Sequence, residues 1–254
     1  MKAQIAVLER ELRMAKSVNA GPVQEVSQED FSTMPVLGYW DIRGLGAPCR
    51  MLLYYCKVNF ADVTYSLGEA PEYSRAAFHD IKDTLGLELP NLPYLIDGEV
   101  RLSETAAILQ YIAKKWRPAL LGTTAAEMGR IHMLWYYVLD LKTKSTTPCY
   151  TDGNVEAIIE TVRPLLARLV GLMGDKQYLC GDNLTWLDFY FAENVDMLHK
   201  LTDGLFYAEF PTLQAYWERF ICQDNLAEAW ADDSKLMKMP FNNKAAKLLQ
   251  NKEA

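Results

Sequence analysis

The sequence predicts two folded units in tandem, a small α/β unit on a mixed sheet followed by an all-α unit. Three observations predict it. Strand-like runs occur at 36–40, 60–65, 93–96 and 100–102 and nowhere later in the chain. A helical period at 47–57 separates the first two, as in a parallel crossover, whereas Asp97-Gly98 joins the last two as a tight antiparallel hairpin. From residue 125 onward the strand signals vanish and long helical periods take over.

Each element has a local cause. Val36-Leu37-Gly38-Tyr39-Trp40 reads as a short buried strand that runs into a glycine-rich turn through Gly46. Pro48 suits the first turn of a helix, where its missing N–H would be unpaired anyway, and Met51, Leu52, Tyr55 and Cys56 follow at helical spacing. Phe60 to Tyr65 alternates on a period of two. The loop from Leu67 to Glu72 leads to a helical stretch expected around 73–83. Pro93 to Ile96 and Val100 to Leu102 form the hairpin strands. Ser103-Glu104-Thr105 then opens a helix to about Trp116, with Ile108, Leu109 and Ile112 on its buried side. This β-α-β-α-β-β-α order fits a thioredoxin-like domain at 34–116.

Arg117 to Thr124, with Pro118 and Gly122, is the expected linker. The all-α C-terminal helical domain then spans 125–254, with helical periods at 125–146, 154–174, 185–200 and 211–222. Thr185-Trp186-Leu187-Asp188 is a capping pattern in which the hydroxyl is expected to accept from the Asp188 N–H while the carboxylate reaches back. Residues 1–33 stand apart as an N-terminal extension. Ile5, Leu8, Leu12 and Ala15 fall at helical spacing within 3–16, and a polar tract follows, so this stretch is expected to be a short helix or disordered.

Composition narrows the classes of function. Half the residues are hydrophobic and 23% are charged, which provides for a sizeable core. The formal net charge of −7 argues against a general nucleic-acid surface. No apolar run approaches the roughly 18 residues a membrane span needs. The five cysteines, Cys49, Cys56, Cys149, Cys180 and Cys222, are scattered with no C-x-x-C pair. They read as reduced thiols, and residues 1–30 lack the continuous apolar segment of a signal peptide, so a cytoplasmic setting is expected. His79, His132 and His199 lie far apart, and no metal site is expected.

The chemistry is expected where the first strand passes into its helix, because ligands of open α/β sheets collect at such strand ends. Tyr39 stands there. A dithiol enzyme of this fold would place C-x-x-C at this position, but the chain has Tyr39-Trp40-Asp41-Ile42, and Cys49 reads as a packed core thiol. Asn91-Leu92-Pro93-Tyr94 puts a proline at a strand start; a cis Leu92–Pro93 bond would turn the Leu92 N–H and C=O toward an extended peptide, although base rates favour trans. Glu104-Thr105 opens a helix, where free N–H groups favour a carboxylate, the Thr105 hydroxyl can donate to it and Glu104 can receive an ammonium group. Together these are the parts that hold a small peptide bearing a reactive group.

Gly38-Tyr39-Trp40-Asp41-Ile42-Arg43-Gly44-Leu45 and Pro90-Asn91-Leu92-Pro93-Tyr94-Leu95-Ile96-Asp97-Gly98 resemble the signature segments of mu-class glutathione transferases. Gly68-Glu69-Ala70-Pro71-Glu72-Tyr73 resembles the loop that distinguishes that class, and the likeness runs from about Met34 to Phe220. The resemblance implies that Tyr39 is catalytic and donates a hydrogen bond to the glutathione sulfur. By the same resemblance Trp40 and Lys82 hold the glycyl carboxylate, Leu45 supplies a backbone contact, and Asn91 and Leu92 grip the peptide beside a cis Pro93. Glu104 and Thr105 receive the γ-glutamyl end, Asp140 reaches that group of the neighbouring subunit, and Tyr150 lines the electrophile pocket.

Three departures from the family pattern stand out. Phe78 occupies the place of a tryptophan that helps hold the glycyl carboxylate. Leu89 replaces an aromatic key between subunits, and 142–149 is polar for a pocket that receives apolar electrophiles. The resemblance thus implies a homodimeric transferase that joins the glutathione thiolate to small electrophiles in detoxification, with glutathione as co-substrate and no other cofactor. A glutathione-dependent isomerase or peroxidase, or a non-catalytic carrier of the same fold, are the alternatives.

Overall fold

The computed structural model describes residues 34–223, 226, 229–231 and 234–250. The helix expected within 3–16 lies outside the described residues. Strands β1 (Val36–Trp40), β2 (Ala61–Tyr65), β3 (Tyr94–Asp97) and β4 (Val100–Ser103) form one sheet in the order β2-β1-β3-β4. β1 and β2 are parallel, joined through helix α1 (Ala47–Tyr55), and the β1–β3 and β3–β4 pairs are antiparallel. Leu37 and Leu95 face α1 and the later helix at 105–116, whose Ile108, Leu109 and Ile112 are fully buried as the periodicity predicts. Val63, Tyr65, Tyr94 and Ile96 face the opposite side, covered by Phe78, Leu85 and Leu87.

That cover differs from the single helical stretch expected at 73–83. It is helix α2 (Ala76–His79) followed by a 3₁₀ turn at Lys82–Thr84. The physical reason is burial: the segment places Phe78, Leu85 and Leu87 on the sheet, a spacing one regular helix cannot deliver to one face.

Helix α3 (Thr105–Trp116) closes the first unit, and the second comprises α4 (Ala125–Tyr150), α5 (Val155–Met173), α6 (Trp186–Leu201), α7 (Leu205–Glu209), α8 (Pro211–Ile221) and α9 (Lys235–Lys238). α4 runs four residues past its expected end and takes in Pro148 in its last turn; there the missing N–H removes the donor for the Lys144 carbonyl, and the helix stops within two residues. α6 is buried from Trp186 to Leu198 and packs against α1, α4 and α8, so one core runs through both units. At its start the Asp188 carboxylate accepts both the Thr185 N–H and the Thr185 hydroxyl, each at 2.8 Å. Both halves of the expected capping box are present, the Thr185 side chain on the Asp188 N–H and the carboxylate reaching back; the hydroxyl also gives its hydrogen to the carboxylate, and the Asp188 N–H also meets the Thr185 carbonyl at 3.1 Å.

After α9 the chain doubles back over the first unit. The Arg43 N–H donates to the Pro240 carbonyl at 2.8 Å, the Gly44 N–H to the Phe241 carbonyl at 3.1 Å, and the Lys247 N–H to the Cys149 carbonyl at 2.7 Å.

Candidate active site

Strand register brings the predicted residues together. Gly38 pairs with Tyr94, and Tyr94 with Ser103. One step further along each strand, Tyr39, Pro93 and Glu104 therefore lie side by side at one sheet edge. The Leu92–Pro93 bond is cis, the isomer that base rates disfavour. α3 begins at this edge, with Thr105 as its first residue.

Tyr39 is buried, and its hydroxyl oxygen accepts the Leu45 N–H at 3.0 Å. Burial pushes the phenol well above its usual range, and the Leu45 N–H only partly pulls it back. The hydroxyl keeps its proton, which remains free to donate. Thr105 Oγ1 stands 3.5 Å from the Leu45 carbonyl, so Leu45 ties the end of β1 to the start of α3 through both its backbone groups.

The turn that carries Leu45 is moulded to the Tyr39 ring. Gly44 has φ +42°, and a Cβ there would lie 2.8 Å from the Tyr39 hydroxyl; a Cβ on Gly46 would lie 2.6 Å from ring Cδ1. Sequence reading saw these glycines only as turn formers.

The other predicted residues are placed as follows. Trp40 is partly exposed, with its ring edge-on to Phe78 at 6.3 Å. Phe78, in the place where the family has a carboxylate-holding tryptophan and grouped with the glutathione-binding positions on that ground, is buried between Trp40 and Tyr65 and supports Trp40. Lys82 is partly exposed on the 3₁₀ turn. The Asn91 amide donates to Glu104 Oε1 at 3.1 Å, while its carbonyl oxygen accepts the Leu92 N–H at 2.9 Å. Glu104 holds φ +72°, a strained conformation for a residue with a side chain, of the kind that clusters at functional sites.

Asp140 is ion-paired with Lys144 one turn along α4. Tyr150 ends that helix beside a cavity of about 520 Å³ that Leu67, Tyr73, Arg75 and Ala245 also line. Its hydroxyl accepts the Asn243 N–H at 3.1 Å, and burial keeps it protonated. Cys49 is fully buried, with its thiol pushed up to about 12, as expected of a core residue. Among the described residues no cluster of His, Cys, Asp and Glu could hold a metal ion.

Sequence reading missed a group behind the site. The Arg43 guanidinium meets Glu193 at 2.6 Å and Asp196 at 2.7 Å, all three buried, and lies 4.0 Å above the ring centroid of Phe241 and 5.2 Å from that of Trp230. The signal was two acids, three residues apart, inside the apolar run of α6.

Residues 35–114 match the family model described as glutathione S-transferase, N-terminal domain, and residues 139–233 the corresponding C-terminal domain. The chain belongs to the glutathione S-transferase family. Its curated relatives include glutathione S-transferase Mu 3 of Homo sapiens, 35% identical over 214 residues, which are 83% of this chain and 93% of that protein. Glutathione S-transferase Mu 5 of Rattus norvegicus is 35% identical over 216 residues, 84% and 94% of the two chains. Among solved structures, the glutathione S-transferase Blo t 8 superposes with a TM-score of 0.75 at 26% identity, covering 84% of this chain and 99% of its own.

Proposed function

We propose that the chain conjugates glutathione to small electrophiles, with Tyr39 stabilising the thiolate. The observation that carries this reading is the buried Tyr39 hydroxyl, which accepts the Leu45 N–H and retains a proton to donate. A free thiol titrates near about 8.5, so only a few per cent is thiolate at neutral pH. Lowering that value by about two units takes about 2.7 kcal/mol, within reach of one hydrogen bond to the anion plus local dipoles. The thiolate attacks an electrophilic carbon, the C–S bond forms and the leaving group departs with its electron pair.

The surrounding residues take the peptide. The positive end of α3 and the Thr105 hydroxyl suit the γ-glutamyl carboxylate, and Glu104 suits its ammonium group. The backbone of Leu92 pairs with the cysteinyl unit once a ligand carbonyl replaces the Asn91 side chain on its N–H. Trp40 and Lys82 address the glycyl carboxylate, and Tyr150 faces the electrophile with its remaining proton.

A homodimer of mu type accompanies this reading. Leu89 is 72% exposed, Met133 59% and Tyr136 70%, the last two on one face of α4, and apolar groups this open favour a covering surface. Asp140 lies on the same helix, where it serves the partner's site. Among the described residues no helix is long and apolar enough to cross a membrane. Detoxification in the cytoplasm belongs to the same proposal, on the scattered cysteines that read as reduced thiols.

The test is a conjugation assay with an activated chloronitrobenzene, with glutathione binding measured calorimetrically alongside. Saturable conjugate formation supports the transferase. Glutathione binding with no conjugation across a panel of aryl halides, enones and epoxides would make the protein a carrier.

A further inference from the structure

We propose that the C-terminal tail is a working part of the thiolate site: by clasping Arg43 and Gly44 it holds the Leu45 N–H against the Tyr39 hydroxyl and sets how strongly that hydroxyl donates. This rests on the reading of Tyr39 as the group that meets the sulfur. The segment from Asp41 to Gly46 has two faces. Toward the site, Leu45 donates to Tyr39 and Gly44 and Gly46 lie against its ring. Away from it, the N–H groups of Arg43 and Gly44 are consumed by the carbonyls of Pro240 and Phe241.

Five further contacts fix the same clasp. The Phe241 ring covers the Arg43 guanidinium at 4.0 Å, with Trp230 on it at 5.2 Å. Glu193 and Asp196 hold the guanidinium from α6. The Ala47 N–H returns to the Arg43 carbonyl at 2.7 Å and starts α1. Arg43 is thus bound on its N–H, its carbonyl and its side chain, and the orientation of the peptide units leading to Leu45 is not free to drift. A hydroxyl that accepts a well-aligned N–H is polarised and donates more strongly, so the clasp behind the turn reaches the sulfur through two hydrogen bonds in series. Tyr39, Leu45 and the ligand groups touch the reaction; Arg43 and Phe241 are positioning residues.

The test is the thiol pKa of bound glutathione, read from thiolate absorbance against pH in the wild-type chain, Phe241→Ala and Phe241→Trp. Phe241→Ala removes the ring from Arg43 and loosens the tail. The expected result is a rise of about half a pH unit or more, which lowers the thiolate fraction below that pKa about threefold, with glutathione affinity held within about twofold. Phe241→Trp, which restores an aromatic face, is expected to recover the wild-type value. Should Phe241→Ala fail to fold, Phe241→Leu keeps apolar volume without the ring face and is expected to show the same rise. A normal wild-type shift that survives unchanged in Phe241→Ala or Phe241→Leu, with any loss of rate matched by loss of folded protein, would overturn the clasp while leaving Tyr39 in place. No lowering of the thiol pKa in the wild-type chain would overturn the reading of Tyr39, and the clasp with it.

Discussion

Gly46→Ala is the substitution that most sharply connects the shape of the turn to the activity. The backbone of Gly46 is ordinary, with φ −82° and ψ −30°, so an added methyl group meets no conformational penalty of its own. Its obstacle is the Tyr39 ring. The new Cβ would lie 2.6 Å from Cδ1, 2.7 Å from Cγ and 2.9 Å from Cβ of Tyr39. Carbon atoms rest at about 3.5 to 4.0 Å, so the ring must retreat by about 1 Å.

The Tyr39 hydroxyl now lies 3.0 Å from the Leu45 nitrogen, and such a retreat takes that pair beyond hydrogen-bond length. Overpacking of this kind costs about 1–3 kcal/mol of stability, and a catalytic group misplaced by about 1 Å loses on the order of a hundredfold in rate. The assay is kcat/KM for conjugation beside the urea midpoint, with Gly171→Ala in α5 as control, since a Cβ there meets nothing within 4 Å. Gly46→Ala with wild-type kcat/KM and a wild-type midpoint would refute the packing argument.

Three other outcomes follow from the same geometry. Arg43→Met leaves Glu193 and Asp196 buried without their guanidinium partner and is expected to cost about 3–5 kcal/mol in urea unfolding; an unchanged urea midpoint would count against the ion-paired cluster. Asp188→Ala strips the acceptor from the Thr185 N–H, the Thr185 hydroxyl and the Leu179 N–H and is expected to cost about 3–5 kcal/mol. Burial pushes the Asp188 carboxyl up to about 6 against its hydrogen bonds. Its folded value then lies above the unfolded value of about 3.9, so its contribution is full below about pH 4 and is lost as pH rises through about 6. The Asp188→Ala deficit should therefore be larger at pH 4 than at pH 7, by up to about 3 kcal/mol, and an equal deficit at both would count against it. Leu89→Asp is expected to shift the subunit equilibrium toward monomer in sedimentation, and an unchanged mass would remove Leu89 from the subunit contact.

What was legible in the sequence is what local chemistry determines. Pro48, Asp97-Gly98 and the spacing of Ile108, Leu109 and Ile112 each act within a few residues, and each element appears where they put it. Tyr39, Leu92, Pro93, Glu104 and Thr105 were legible as strand-end and helix-start residues, and register brings them to one edge. The illegible parts depend on distant partners. Arg43 and Glu193 are 150 residues apart in sequence, and nothing near either names the other. The tail at 239–250 has no periodicity to read, because its backbone bonds Arg43, Gly44 and Cys149 instead of a regular ladder. The setting of Phe78 was illegible for the same reason: its aromatic neighbours, Trp40 and Tyr65, lie on β1 and β2.

The central claim is that Tyr39 holds glutathione as a thiolate. The ultraviolet absorbance of bound thiolate against pH, in the wild-type chain and in Tyr39→Phe, tests it most directly. The account predicts a bound-thiol pKa about two units below the free value in the wild-type chain, moving back toward about 8.5 in Tyr39→Phe with glutathione affinity nearly intact. Equal thiolate fractions in the two proteins would contradict it.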